Sequence, residues 1–192
     1  MLKAACMTAV LLLFAGFANA QVPGGNIFFG YSYESTNTSA FGPSLVASTV
    51  TRPNLNGWEA SFEGKILPFV GIVGDVAGHY GSQNLTEITP GGPETIKVTG
   101  HEQEYLFGPR LSVPVGNFTP FAEAFVGVAH IHTGGTLPTP SNTSFAYAFG
   151  GGLDYRIIRP IALRVEGDYV RTSFFSTTQN NFRLAVGVVV RF

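Results

Sequence analysis

Hydrophobic and polar positions alternate along this chain in eight separate stretches. The last is the plainest. Residues 181–192 read NFRLAVGVVVRF, which puts Phe182, Leu184, Val186, Val188, Val190 and Phe192 on one face, with Arg183, Ala185, Gly187, Val189 and Arg191 on the other. Successive side chains of a strand point to opposite sides of the pleat, so strict alternation over this length predicts a strand between two different solvents. The same period runs through residues 26–34, 55–66, 69–81, 102–113, 144–156 and 161–172. In residues 118–131 both parities are apolar, and Glu123 sets the orientation when it is placed on the polar face.

The connections alternate in length. Long stretches rich in Ser, Thr, Asn, Gly and Pro occupy 35–54, 82–100, 133–142 and 173–180, while short turns are predicted at 67–68, 114–117 and 157–160. Eight antiparallel strands joined in that rhythm put all long loops at one rim of a barrel, with all short turns and both chain ends at the other. The predicted fold is all-β, an eight-stranded up-and-down antiparallel barrel.

The charges decide which face is inside. Glu59, Glu63, Asp75, Glu104, Arg110, Glu123, Asp154, Arg164, Glu166, Asp168 and Arg183 all fall on the parity opposite the aromatic and branched residues, as do Glu34, Lys65, Arg156 and Arg191. Arg171 is the main exception. A soluble lipocalin-like barrel would turn these charges outward and use Lys freely. Here both signs share a face with Gly, Ala and Ser, which suits a crowded interior in which an unpaired charge is costly. The apolar face then meets lipid. Trp58, Tyr80, Tyr105, Phe145 and Phe182 stand near the loop rim, and Tyr155 and Phe192 near the turn rim, where interfacial aromatics belong. Eight strands leave an interior filled by side chains, so the inward charges are expected to form an ion-pair network. The turn at 157–160 sets Asp154 opposite Arg164, Arg110 falls opposite or diagonal to Glu123, and Glu59 and Asp75 lie close inside.

Composition sharpens this picture. Only 12% of the residues are charged, about half the usual quarter, against 13% aromatics and 24 glycines. Mean hydropathy is +0.22, and no stretch after residue 20 approaches 18 apolar residues, which excludes a helical membrane protein. Residues 1–20 hold Lys3, an apolar run and Ala18-Asn19-Ala20, the pattern of a cleaved secretory signal peptide, which leaves residues 21–192 as the barrel domain. Cys6, the one cysteine, lies in that leader, so the exported chain has no thiol chemistry or disulfide. Of 11 basic residues one is Lys3, and the rest face 12 acidic ones. That balance argues against a nucleic-acid partner.

The phrases GYSYE (30–34), YLFGPRLS (105–112), FAYAFGGGLDYRI (145–157) and the terminal VGVVVRF resemble the small outer-membrane barrels of the OmpA transmembrane domain and OmpX type. The resemblance implies residence in the outer membrane among lipid and lipopolysaccharide, with no cofactor. It implies an assembly signal read by the barrel-assembly machinery in the aromatic-ended strand (Phe182, Leu184, Val186, Val188, Val190, Phe192). No residues after Phe192 encode the peptidoglycan-binding domain of longer relatives. A structural or surface-interaction role is expected, adhesin-like, with a surface ligand met by loops that carry few charges and many hydroxyl and amide groups. The alternatives are a narrow gated porin-like channel, a periplasmic lipocalin-like binder and a lipid A-modifying barrel enzyme. Some such enzymes carry His-x-Ser on one strand face, and none of His79, His101, His130 or His132 is followed two residues later by serine. His130 and His132 share a face and could hold a metal, but two ligands leave such a site incomplete. No catalytic or metal residues are assigned.

Overall fold

In the computed structural model, which describes residues 24–35, 54–89, 92–135, 141–174 and 178–192, every alternating stretch is a strand. They are β1 (Gly25–Ser35), β2 (Asn54–Leu67), β3 (Val70–Thr89), β4 (Gly92–Ser112), β5 (Phe118–Gly135), β6 (Ser141–Ile158), β7 (Ile161–Thr172) and β8 (Gln179–Arg191). Each pairs antiparallel with the next, and β8 pairs with β1, so the sheet closes as the predicted up-and-down barrel. The proposed leader at residues 1–20 lies outside the described residues, as do most of loop 35–54 and the middles of the other three long connections.

Closure follows from register. β1 and β8 pair from Asn26↔Arg191 to Ser35↔Phe182. At the rim the Gly25 amide donates to the Phe192 carbonyl at 3.0 Å, and the Phe192 amide donates back to Gly25 at 3.1 Å. The terminal residue thus completes the ladder, and its ring stacks on Phe62 with centroids 6.1 Å apart. A closed sheet satisfies its backbone groups without water, which an open edge does not. The three hairpin turns are short, at Pro68-Phe69, Gly116-Asn117 and Arg159-Pro160. Gly116 adopts φ 62°, a conformation that costs glycine little.

Two expectations need correction. Residues 82–100 were expected to be loop, yet β3 and β4 stay paired from Gln83↔Val98 to Thr89↔Gly92. Cross-strand pairing outweighs a composition of Thr, Asn and Pro that reads as loop. Among the described residues β4 and β5 part at Val98↔Gly135, and there the β3–β4 pair continues as a two-stranded ribbon roughly 20 Å beyond that rung at 3.3 Å per residue. Pro90 and Gly91 at its tip lie outside the described residues. The second correction is Arg156, expected inside. It is exposed, because the strand reaches the turn rim there with a register shift between Arg156 and Ile158. Its guanidinium donates to the Gly116 carbonyl and to Asn117 Oδ1, each at 3.0 Å.

The two faces differ as the alternation predicts. Phe29, Phe62, Phe107, Phe149, Val165 and Val188 are among more than two dozen large apolar side chains exposed on the outside. Soluble monomers rarely expose a contiguous apolar surface of that extent. Water is therefore not its solvent. β5 resolves as Glu123 required, with Phe121, Phe125 and Ile131 inside and Ala122, Val126 and Val128 outside. Arg171 is exposed and lies over the Tyr147 ring at 6.0 Å.

Candidate functional site: the charged interior

Of the fifteen charged residues on the inward parity, twelve are buried, Glu34 among them; Lys65 and Arg191 are part-exposed at the turn rim, Arg156 is exposed, and Glu102 is buried as well. They form two groups along the barrel axis. In the turn-side group, Arg164 crosses directly to its cross-strand partner Asp154, with Nε–Oδ1 2.7 Å and Nη2–Oδ2 3.1 Å. Arg191 reaches the same Oδ2 at 3.0 Å. Arg110 donates from Nε to its partner Glu123 at 2.5 Å and stands 3.4 Å from both Glu63 and Glu166. Lys65, at 22% exposure, pairs with Glu63 at 2.6 Å and hydrogen-bonds Ser112. Four cations thus meet the four carboxylates Glu63, Glu123, Asp154 and Glu166. The rings of Phe28 and Phe121 lie against the guanidiniums of Arg164 and Arg110, 4.5–5.2 Å from their centroids, and fill the space between pairs.

The loop-side group is built around one cation. Arg183 contacts Asp75 at 2.9 Å, Glu104 at 3.0 Å, Asp168 at 2.9 Å and Glu59 at 3.3 Å. Glu59 and Asp75 therefore meet at Arg183 rather than with each other alone. Glu34 and Glu102 bring the carboxylates to six, against one guanidinium among the described residues. Glu102 Oε1, Glu104 Oε1 and Asp75 Oδ2 are buried and accept no hydrogen bond. The other side of this layer is apolar, with Val73, Leu106, Phe125, Ile131, Val170 and Phe174 in one cluster.

Within the loop-side group lies an arrangement that no single strand encodes. Ser32 and Glu34 share the inner face of β1, and His79 comes from β3. Gly57 of β2 is the register partner of both Ser32 and His79, and with no side chain between them they meet across it. A Cβ at Gly57 would collide with the backbone at Gly78 and His79. His79 Nε2 is 2.9 Å from Ser32 Oγ, and Nδ1 is 3.1 Å from Glu34 Oε2. The order Ser–His–carboxylate is that of a hydrolytic triad. All three side chains are at 0% exposure, so an acyl substrate has no access to Ser32. The signal was present in the sequence as Ser-x-Glu on an inward face, but its third member depended on register.

The remaining histidines face outward. His130 Nδ1 meets Thr143 Oγ1 at 2.7 Å, and His132 is the register partner of His101, which stands edge-on to Tyr80 at 5.3 Å. The predicted assembly residues Phe182, Leu184, Val186, Val188, Val190 and Phe192 also line the exposed outer face. At the turn rim a cavity of about 190 Å³ opens beside Arg110, Arg164, Arg191 and Phe192.

No family model and no curated protein matches this sequence. Solved structures do. The attachment invasion locus protein Ail of Yersinia pestis aligns over 88% of this chain and 98% of its own, at 12% identity and a TM-score of 0.57. Neisserial surface protein A aligns over 88% and 97%, at 11% identity and 0.61. A major outer membrane protein of Thermus thermophilus aligns over 87% and 99%, at 11% identity and 0.52. This chain shares the fold of the small outer-membrane barrels, a closed eight-stranded transmembrane β-barrel with its charges inside.

Proposed function

We propose that this protein is an integral outer-membrane barrel, exported by its leader, that conducts nothing and presents its long-loop rim to partners outside the cell. The observation that carries this reading is the interior: Arg110, Arg164 and Arg183 are each at 1% exposure among carboxylates that they contact directly. A lumen so filled is a wall and not a pore. The rim then remains as the working surface. The β3–β4 ribbon extends beyond the barrel there, and among the described residues its outer part pairs with no third strand. Unpaired strand edges are a ready template for a partner chain. The name of one fold neighbour, the attachment invasion locus protein, fits a surface role of this kind.

The test uses cells displaying the full barrel and cells displaying a variant in which residues 83–98 are replaced by a two-residue turn. Both proteins must reach the outer membrane, shown by a heat-dependent gel shift. Loss of attachment or of partner capture by the variant alone is the expected result. Equal attachment by both, or steady single-channel conductance of the purified wild type, contradicts the reading.

A further inference from the structure

Among the described residues, Glu34, His79 and Glu104 each bring one ligand atom to within 4.8 Å of the others, and all three side chains are at 0–1% exposure. We propose that this cluster is a binding site for one divalent first-row transition ion of the zinc type, held inside the loop-side half of the barrel.

The site is centred on His79. Its Nε2 is engaged by Ser32 Oγ at 2.9 Å, and Ser32 Oγ lies 3.3 Å from Glu59 Oε2, toward which it can donate. With the Ser32 hydroxyl donating to Glu59, the ring hydrogen belongs on Nε2 and Nδ1 keeps a lone pair. Nδ1 points to the side where Glu34 Oε2 lies 3.1 Å away, yet makes no hydrogen bond. A nitrogen lone pair and a carboxylate oxygen at that distance repel unless a proton or a metal cation stands with them. An imidazole held through its other nitrogen by a hydroxyl and a carboxylate beyond it is how metal-bound histidines are oriented.

Glu104 supplies the second observation. Its Oε2 is taken by Arg183 at 3.0 Å, while Oε1 is buried without a partner. One nitrogen and two carboxylate oxygens suit zinc and its neighbours better than calcium or magnesium, which favour all-oxygen sets. Ligand atoms around a tetrahedral zinc stand roughly 3.4 Å apart, given bonds of about 2.0–2.2 Å. His79 Nδ1 and Glu34 Oε2, 3.1 Å apart, are close to that spacing, and a Glu104 oxygen lies within 4.8 Å of both. The ion would also offset part of the carboxylate excess around Arg183. The outward pair His130 and His132 offers a contrast, since it lacks a buried carboxylate.

The test is a titration of the refolded barrel in detergent, stripped of metal with a chelator, with Zn²⁺ by calorimetry and with Co²⁺ by its visible absorption. One equivalent bound by the wild type is expected, with affinity lowered at least about 100-fold in His79→Gln and unchanged in His132→Ala. His79→Gln is used because it leaves every contact of Arg183 in place. The wild-type titration stands even where a variant fails to fold. Wild type that binds no stoichiometric ion overturns the proposal, as does a folded His79→Gln that binds as tightly as wild type, or loss of binding in His132→Ala. The result leaves the surface role above untouched, because that role rests on the closed lumen and the ribbon.

Discussion

The two halves of the barrel interior contain the same kinds of residue and differ in arithmetic. On the turn side, Lys65, Arg110, Arg164 and Arg191 share four carboxylates, and most anions have more than one cation in reach. On the loop side, among the described residues, Arg183 alone serves Glu59, Asp75, Glu104 and Asp168, with Glu34 and Glu102 beyond it. The difference teaches that burial of charge is not one property. A balanced network tolerates the loss of a member because a neighbour can shift. A network with one hub does not.

Replacement of that hub should therefore have the largest effect. Arg183→Leu strands four buried carboxylates, and removing one partner of a buried pair costs about 3–5 kcal/mol. The variant is expected to lose the heat-dependent gel shift altogether. Arg110→Leu leaves Glu63 with Lys65 and Glu166 with Arg164, so only Glu123 is abandoned. It should fold and lose about 3 kcal/mol in urea titration of the micelle-bound barrel.

Carboxylate neutralisation sharpens the contrast by sign. Glu123→Gln removes the closest partner of Arg110, at 2.5 Å, and should destabilise by about 2 kcal/mol. Glu102→Gln removes an anion from the side with the excess, and should raise the urea midpoint, by about 1 kcal/mol in stability. If both variants move in the same direction, the two halves are not different in the way proposed. Lys65→Ala should matter least, below about 1 kcal/mol, because Lys65 is partly open to solvent and Arg110 remains near Glu63.

Most of the architecture was legible because a strand's faces are written in alternate letters. Phe182 to Phe192 could be oriented at sight, and β5 needed only Glu123. Pairs that face each other across a short turn were legible too. Asp154 and Arg164 are ten residues apart and lie opposite one another by the register of a single hairpin. The contact between Arg183 and Asp75 spans 108 residues and crosses the lumen, so it depends on the tilt of strands around the whole barrel. No local pattern encodes that. The Ser32–His79–Glu34 line was hidden for a similar reason, since it needs Gly57 to fall between two strands that are not neighbours. The ribbon at 83–98 is not legible because Thr, Asn and Pro describe a loop well until another strand pairs with them. Arg156 followed its parity but stood one step too near the rim to be covered.

Everything above depends on which face of the sheet meets lipid, and the chain carries its own probe. Trp58 is the single tryptophan, on the outer face of β2 opposite Tyr31 in register. Its fluorescence should be measured in vesicles of brominated phospholipid with the full barrel inserted. Strong quenching by the bromolipid, with little effect of aqueous iodide, is the predicted result. Quenching by iodide with none from the bromolipid would mean that the apolar face is not in the membrane.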